Sequence, residues 1–363
     1  MLKQLLEKAV QVGASDIHLK VGSPPVFRIK KRLVRLDTLP PLDDKVMLDL
    51  LSEILAKNRK KLEEFERMGE TDTSYSIPGV ARFRVNIFRQ RGSVGMAFRT
   101  VPFQVPAFES LNLPQVMKKV ILENTKGLIL VTGPTGSGKS TTLASLIEII
   151  NQTRDCVIVT IEDPIEYLFR DGKAYIVQRE VSIDTSSFAT GLRAALREDP
   201  DVIMVGEIRD SETAITALQA AETGHLVLST LHTLDAKETI NRLISMFPLE
   251  SRQQVRLLLS ETLVAVFSQR LLPKADGTGV VPAVEVLINT PSIKECIQNP
   301  DKLDEIPTLL EKGRSVYGTQ TFDQHLEQLV RQGLIDVKTA LAYATKPADL
   351  EIKLKGVSSG GYF

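Results

Sequence analysis

The chain has 363 residues, 43% of them hydrophobic, which allows two or three domains that each bury a core. Basic and acidic residues both number 45, and this balance argues against a general nucleic-acid binder. The cysteines, Cys156 and Cys296, lie too far apart for a disulfide framework or zinc knuckle to be read, which fits a reducing cytoplasm. The longest apolar stretch, residues 255–267, is too short to cross a bilayer, so we expect any membrane contact to be peripheral.

The first 100 residues predict a small α+β domain. Helical spacing of apolar residues predicts a helix over residues 2–12. Alternating patterns predict strands within residues 15–22, 25–36 and 75–99, and the polar residues 43–67 predict one or two helices. We therefore assign residues 1–100 to an N-terminal domain.

A proline-containing segment separates this domain from the rest of the chain. Pro102 and Pro106 remove backbone donors and favour extended conformations. We place a linker at residues 101–112 and expect this segment to act as a hinge.

Beyond the linker, wholly apolar strands alternate with helices, which predicts an α/β fold with a mostly parallel sheet buried on both faces. We assign residues 113–289 to this core and residues 290–363 to a helical C-terminal region with a mobile tail at 358–361. The predicted strands are residues 128–132, 157–162, 202–205, 226–230 and 281–287.

Residues 133–140 match the phosphate-loop pattern GxxxxGK[ST] between a predicted strand and a predicted helix. Glycines let backbone N–H groups wrap around phosphate oxygens, and the helix dipole favours negative charge there. We expect Lys139 to contact the β- and γ-phosphates and Ser140 to bind Mg²⁺. The predicted ATP-binding residues are Gly133, Pro134, Thr135, Gly136, Ser137, Gly138, Lys139, Ser140 and Thr141.

Acidic side chains follow two of the predicted strands, where ligands bind in open α/β sheets. Glu207 follows residues 202–205 and is placed to polarise an attacking water, although it could instead cap the next helix or pair with Arg209. Glu162, Asp163 and Glu166 crowd three carboxylates together, which indicates Mg²⁺ or a water network among them unless this is a plain acidic loop.

Two histidines frame the predicted strand at residues 226–230. His232, at its carboxyl end, could bond a γ-phosphate and report its loss. His225 precedes the strand, and a structural role is about as plausible for it.

Alternation places Arg82 and Arg84 on one face of a strand, with Arg99 on a candidate partner strand. Arginines can neutralise charge on a transferring phosphoryl group. Because they lie outside the phosphate-loop domain, we expect them to reach a nucleotide held by a neighbouring subunit, unless they are simply a solvated or salt-bridged strand face.

The motifs together resemble the secretion ATPase superfamily, and within it the ATPases of twitching motility. The resemblance covers nearly the whole chain. The segments that carry it are residues 13–19 (GASDIHL), the phosphate loop at 131–142, and residues 161–166, 199–210, 224–233, 268–274 (SQRLLPK) and 320–323 (QTFD).

The resemblance implies a PAS-like N-terminal domain, a RecA-like core and a homohexamer that uses ATP and Mg²⁺ to retract pili. It implies a position at the cytoplasmic face of the inner membrane, on a pilus platform protein. It also implies that ATP hydrolysis uses acidic, histidine and arginine side chains, here Glu162, Glu207, His232, Arg82, Arg84 and Arg99. Residues 292–299 depart from a motif that many of these ATPases carry. The alternative that this chain is a divergent paralogue of the retraction ATPases therefore stays open.

Three alternatives remain. A pilus assembly or type II secretion ATPase would usually carry an extra N-terminal domain and a tetracysteine zinc motif, which two lone cysteines cannot form. A non-hydrolysing, nucleotide-gated regulator should have lost Lys139, Ser140 or the strand-end carboxylates. A nucleic-acid translocase disagrees with the zero net charge, so we expect no nucleic-acid partner.

Overall fold

A computed structural model describes residues 1–56, 58–102 and 104–358. The described chain divides into two compact units. The first contains residues 1–104 together with 164–169, and the second contains residues 105–163 and 170–363. Phe103, in the predicted linker, and most of the predicted tail at 358–361 lie outside the described residues.

The first unit is built on a six-stranded antiparallel sheet with strand order β3-β2-β1-β6-β5-β4. Three helices contribute apolar residues to its core, among them Leu6, Met47 and Phe65. The elements are α1 (Leu2–Gln11), β1 (Ala14–Lys20), β2 (Val26–Ile29), β3 (Arg32–Arg35), α2 (Asp44–Leu55), α3 (Arg59–Met68), β4 (Glu70–Ile77), β5 (Ala81–Gln90) and β6 (Ser93–Val101).

The second unit contains a seven-stranded sheet with strand order β13-β12-β7-β11-β10-β8-β9. All neighbouring strands are parallel except β12 and β13. Its strands are β7 (Gly127–Thr132), β8 (Val157–Glu162), β9 (Tyr175–Glu180), β10 (Val202–Val205), β11 (Leu226–Leu231), β12 (Leu263–Pro273) and β13 (Val280–Ile288).

Helices cover this sheet, and the four central apolar strands are almost completely buried because both sheet faces are covered. The helices are α4 (Gln115–Glu123), α5 (Lys139–Thr153), α6 (Phe188–Ala195), α7 (Ser211–Glu222), α8 (Ala236–Ser245), α9 (Arg252–Thr262), α10 (Pro291–Gln298), α11 (Ile306–Lys312), α12 (Arg314–Tyr317), α13 (Phe322–Arg331), α14 (Val337–Tyr343) and α15 (Pro347–Ser358).

The predicted α/β class with a mostly parallel sheet is confirmed, and so is the helical run after residue 290. Two strands, β9 and β12, had no counterpart in the prediction, and the last predicted strand, β13, is antiparallel to its neighbour. The apolar residues 255–267 form parts of α9 and β12. The predicted domain boundaries stay a prediction.

Candidate nucleotide site

The phosphate-loop residues form a tight turn between β7 and α5. Gly133, Gly136 and Gly138 all have positive φ, at 143°, 79° and 87°. At Gly133, a Cβ atom would lie 2.3 Å from the carbonyl oxygen of Gln269, so a side chain has no room there. The glycines of the motif therefore serve both backbone conformation and close packing.

Lys139 is the first residue of α5, and its side chain turns back into the loop. Its Nζ donates hydrogen bonds to the carbonyl oxygens of Gly133 (2.8 Å) and Pro134 (3.1 Å). Burial lowers the pKa of Lys139, and the nearby carboxylate of Glu207 opposes that shift. The loop thus encloses a buried ammonium group, and the charge of Glu207 is near enough to act on it.

Hydroxyl groups in and beside the loop also suit the binding of phosphate oxygens. Among the described residues, the Ser137 hydroxyl is one of few buried side-chain groups without a hydrogen-bond partner. Ser140 is exposed on the first turn of α5, and Thr141 follows it, half-buried. A glycine cradle, a buried cation and hydroxyl groups at a helix N-terminus match the oxygens of a nucleotide phosphate. Ser140 could add a hydroxyl ligand to a Mg²⁺ ion that phosphate oxygens and water also bind.

Glu207 lies just beyond β10, at the same sheet edge as the loop. Its carboxylate accepts a hydrogen bond from Arg209, and this bond is the main cause that raises the pKa of Arg209. Nε2 of His232, just beyond β11, lies 3.4 Å from Oε2 of Glu207. The structure therefore brings together Lys139, Glu207 and His232, with Arg209 as the alternative partner that the sequence had suggested for Glu207.

The acidic segment after β8 separates into three environments. Glu162 is buried, and its Oε1 accepts hydrogen bonds from Thr160 (2.8 Å) and Gln178 (3.2 Å). Asp163 lies 4.0 Å from Nη1 of Arg209. Glu166, which belongs to the first unit, lies 2.5 Å from Nη2 of Arg84. Arginine side chains therefore supply positive charge at two of these carboxylates.

The second histidine of the pair lies elsewhere. His225 precedes β11, at the amino end of the strand, and its Nδ1 is 2.9 Å from the carbonyl oxygen of Ala220. Parallel strands put their amino ends at the edge opposite the phosphate loop. His225 thus has a structural setting, whereas His232 lies at the site.

The three arginines all lie in the first unit. Arg84 on β5 is paired directly with Arg99 on β6, as the predicted partner strand requires. Arg82 donates hydrogen bonds to Ser76 (3.0 Å) and Ser74 (2.7 Å). Arg99 donates to Asp16 (2.9 Å) and has a side chain that is 70% exposed.

No group of three or more His, Cys, Asp or Glu side chains among the described residues is arranged to hold a metal ion. No helix in that part of the chain has the length and apolar character needed to cross a membrane.

Sequence reasoning assigned no role to Gln269 or Thr142, although both contact the phosphate loop or its helix. Oε1 of Gln269 accepts a hydrogen bond from the hydroxyl of Thr142 (3.0 Å). The segment at residues 268–274 stood out in the sequence, but its position beside the loop depends on a strand that the pattern did not predict.

Comparison with known proteins agrees with this geometry. The chain is 46% identical over 346 residues to the type IV pilus retraction ATPase PilT of Pseudomonas aeruginosa, covering 95% of this chain and 98% of that protein. It is 38% identical over 353 residues to the type IV pilus ATPase PilU of the same organism, covering 97% and 91%.

A solved structure is also similar: the crystal structure of the pilus retraction motor PilT with bound ADP has 47% identity and a TM-score of 0.84, covering 96% of this chain and 98% of that one. The predicted RecA-like fold is thereby confirmed. The family model described as "Type II/IV secretion system protein" matches residues 1–360, and the chain belongs to that family.

Proposed function

We propose that this protein is a motor ATPase that hydrolyses ATP to drive pilus retraction. The observation that carries the proposal is the buried Lys139 ammonium in its glycine loop, at the same sheet edge as a strand-end carboxylate, Glu207, that His232 and Arg209 contact. The similarity over nearly the full length of PilT, at higher identity than that to PilU, favours retraction among pilus functions.

In this proposal each side chain has a distinct task. Lys139 and the loop N–H groups bind the β- and γ-phosphates, and Ser140 binds Mg²⁺, which when bound neutralises phosphate charge. Glu207 orients the attacking water and receives its proton, while His232 and Arg209 keep the carboxylate in position. Glu162 is a buried acceptor at the next strand end and organises water there.

We further propose a homohexamer in which Arg82, Arg84 and Arg99 act on a nucleotide held by the neighbouring subunit. The ring would lie at the cytoplasmic face of the inner membrane, peripheral to the bilayer, against a pilus platform protein. The exposed side chain of Arg99 on the first unit supports this, because arginine at a subunit boundary can stabilise transition-state charge.

The ATPase step is tested by phosphate release. Lys139→Ala should lose nearly all activity, whereas Lys119→Ala, which changes an exposed lysine on α4, should retain it. Wild-type protein that neither binds Mg²⁺-ATP nor releases phosphate faster than Lys139→Ala would rule the proposal out.

The trans arrangement has its own test, in mixed rings. Arg84→Ala and Glu207→Gln should each be inactive, yet a 1:1 mixture should regain activity at about a quarter of the sites, because each site pairs two subunits. A mixture that forms mixed hexamers and is still inactive would contradict an arginine supplied in trans.

Deletion of the gene in the native host separates retraction from assembly. Extra surface pili without movement indicate retraction, and bald cells indicate assembly.

A further inference from the structure

Gln269 is a buried glutamine on β12 whose side chain contacts the phosphate loop and the helix after it. The residue is 1% exposed. Its Nε2 donates a hydrogen bond to the carbonyl oxygen of Ser137 (2.6 Å), and its Oε1 accepts one from the hydroxyl of Thr142 (3.0 Å). One amide group therefore joins the end of the loop to the first turns of α5.

The backbone of the same strand supports the beginning of the loop. The carbonyl oxygen of Gln269 closes the space beside Gly133, and the preceding hydroxyl, of Ser268, accepts a hydrogen bond from Thr132 (2.8 Å). Two consecutive residues of β12 thus contact both ends of the turn that carries Lys139.

The chemistry of the two contacts selects an amide. The Ser137 carbonyl can only accept a hydrogen bond, so the group facing it must donate, while Thr142 directs its hydroxyl proton at an acceptor. Glutamate would offer two acceptors and place an oxygen against the Ser137 carbonyl. Leucine would offer neither group and would leave a buried carbonyl without a partner.

We propose that Gln269 is a positioning residue of the nucleotide-binding loop, which it holds in the conformation that presents Lys139 and the loop N–H groups to phosphate. This inference rests on the proposed ATPase function. A loop that must find its bound conformation after losing this support would bind nucleotide more weakly, because part of the binding free energy would be spent on ordering it.

Two substitutions and one matched control test the proposal. Gln269→Glu and Gln269→Leu should each raise the KM for ATP, and the Kd for ADP, by about tenfold or more, the size of one buried hydrogen bond. The control is Gln320→Leu: Gln320 is also a buried glutamine, and its Nε2 donates to the carbonyl of Val284 (2.8 Å), the residue opposite Gln269 on β13. The change removes a buried hydrogen bond beside the same strand but neither of the two contacts that Gln269 makes with Ser137 and Thr142. Gln320→Leu should lose about as much stability against urea as the Gln269 variants, but its KM for ATP and its Kd for ADP should stay within about twofold of the wild-type values.

Thr142→Val provides a second route if the Gln269 variants do not fold. It removes the hydroxyl contact but leaves the bond to Ser137, so the KM for ATP should rise by about threefold. In the double variant with Gln269→Leu, the free-energy change in KM should be smaller than the sum of the two single changes. Unchanged ATP and ADP constants in the folded Gln269 variants, or in Thr142→Val if those fail to fold, would overturn the role of Gln269. Wild-type protein without nucleotide affinity would instead overturn the proposed function, and this inference with it.

Discussion

Nε2 of His232 lies 3.4 Å from Oε2 of Glu207, across the tips of two adjacent parallel strands, β11 and β10. The tips are fixed to each other by the Thr230 hydroxyl, which donates to the carbonyl of Gly206 (2.7 Å), and by the N–H of Ile208, which donates to the carbonyl of Thr230 (3.1 Å). The direction of the Glu207 carboxylate is therefore set by two strands, not by its own strand alone.

Glu207→Gln should reduce kcat by about 10²- to 10⁴-fold, the usual contribution of a positioned base. Nucleotide affinity should change little, because the loop and Lys139 keep their contacts. Steady-state phosphate release and ADP titration measure the two effects. Glu212→Gln is a suitable control because that carboxylate is 60% exposed and pairs with Arg193. Equal activity of the two variants would remove Glu207 from the mechanism.

His232→Gln should reduce kcat by about tenfold, because Glu207 would lose the contact that helps to fix the direction of its carboxylate. His225→Gln should leave kcat unchanged, because His225 lies at the amino end of the same strand. Kinetics of the two purified variants under one set of conditions make the comparison. A loss of kcat in His225→Gln that matched the loss in His232→Gln would mean that strand stability, not the site, is being measured.

Gly133→Ala should prevent nucleotide binding or folding, because the new Cβ would lie 2.3 Å from a backbone oxygen and the φ of 143° is strained for alanine. Gly277→Ala is the matched change. Gly277 has a φ of 70° but open space around its Cβ position, so the cost should be about 1–2 kcal/mol of strain. Urea unfolding and ADP titration distinguish them; equal destabilisation, with ADP binding retained by both, would show that close packing at the loop is unimportant.

Glu285 and His325 predict opposite effects of pH on the free energy of unfolding. Burial raises the pKa of Glu285 to about 7 from 4.5, so between these values the folded chain holds a proton that the unfolded chain releases. Its contribution to stability is therefore lost as the pH rises towards 7. Burial, with the charge of Arg314, lowers the pKa of His325 to about 4 from 6.5, and its Nδ1 accepts the N–H of Val284. That contribution is full above pH 6.5 and is lost as the pH falls towards 4.

Each of these two pKa shifts changes the free energy of unfolding by about 3 kcal/mol over its full pH range. In the wild type the two changes have opposite signs and partly cancel. The difference in unfolding free energy between wild type and Glu285→Gln should decrease from pH 5 to pH 7. The difference between wild type and His325→Gln should increase over the same interval. Urea denaturation at several pH values supplies both curves, and slopes of the same sign would contradict the assignment.

Sequence reasoning located the central strands well because their apolar runs are bounded by clear turns, as at Gly133 and Gly206. It missed β12 because α9 passes into this strand at residues 262–263 with no glycine or proline between them. It missed β9 because this edge strand is only partly buried and carries polar residues such as Gln178.

Some residues of the site could be predicted from the sequence and others could not. Lys139 lies in a motif and Glu207 at a strand end, so both could be predicted. Gln269 could not be predicted, because its role depends on which strand lies beside β7. The local sequence pattern does not determine the order of strands in a sheet. Arg209 was foreseen as a possible partner of Glu207 because the two residues are close in sequence.

The hydrogen bond from Thr132 to Ser268 joins positions 136 residues apart, and the bond from Gln269 to Ser137 spans 132. During synthesis the glycine-rich turn therefore leaves the ribosome long before the strand that supports it. A nascent chain that ends before β12 contains the complete motif and none of this support. On the role proposed for Gln269, such a chain binds nucleotide more weakly than the complete protein, so full affinity is reached only after β12 has been translated.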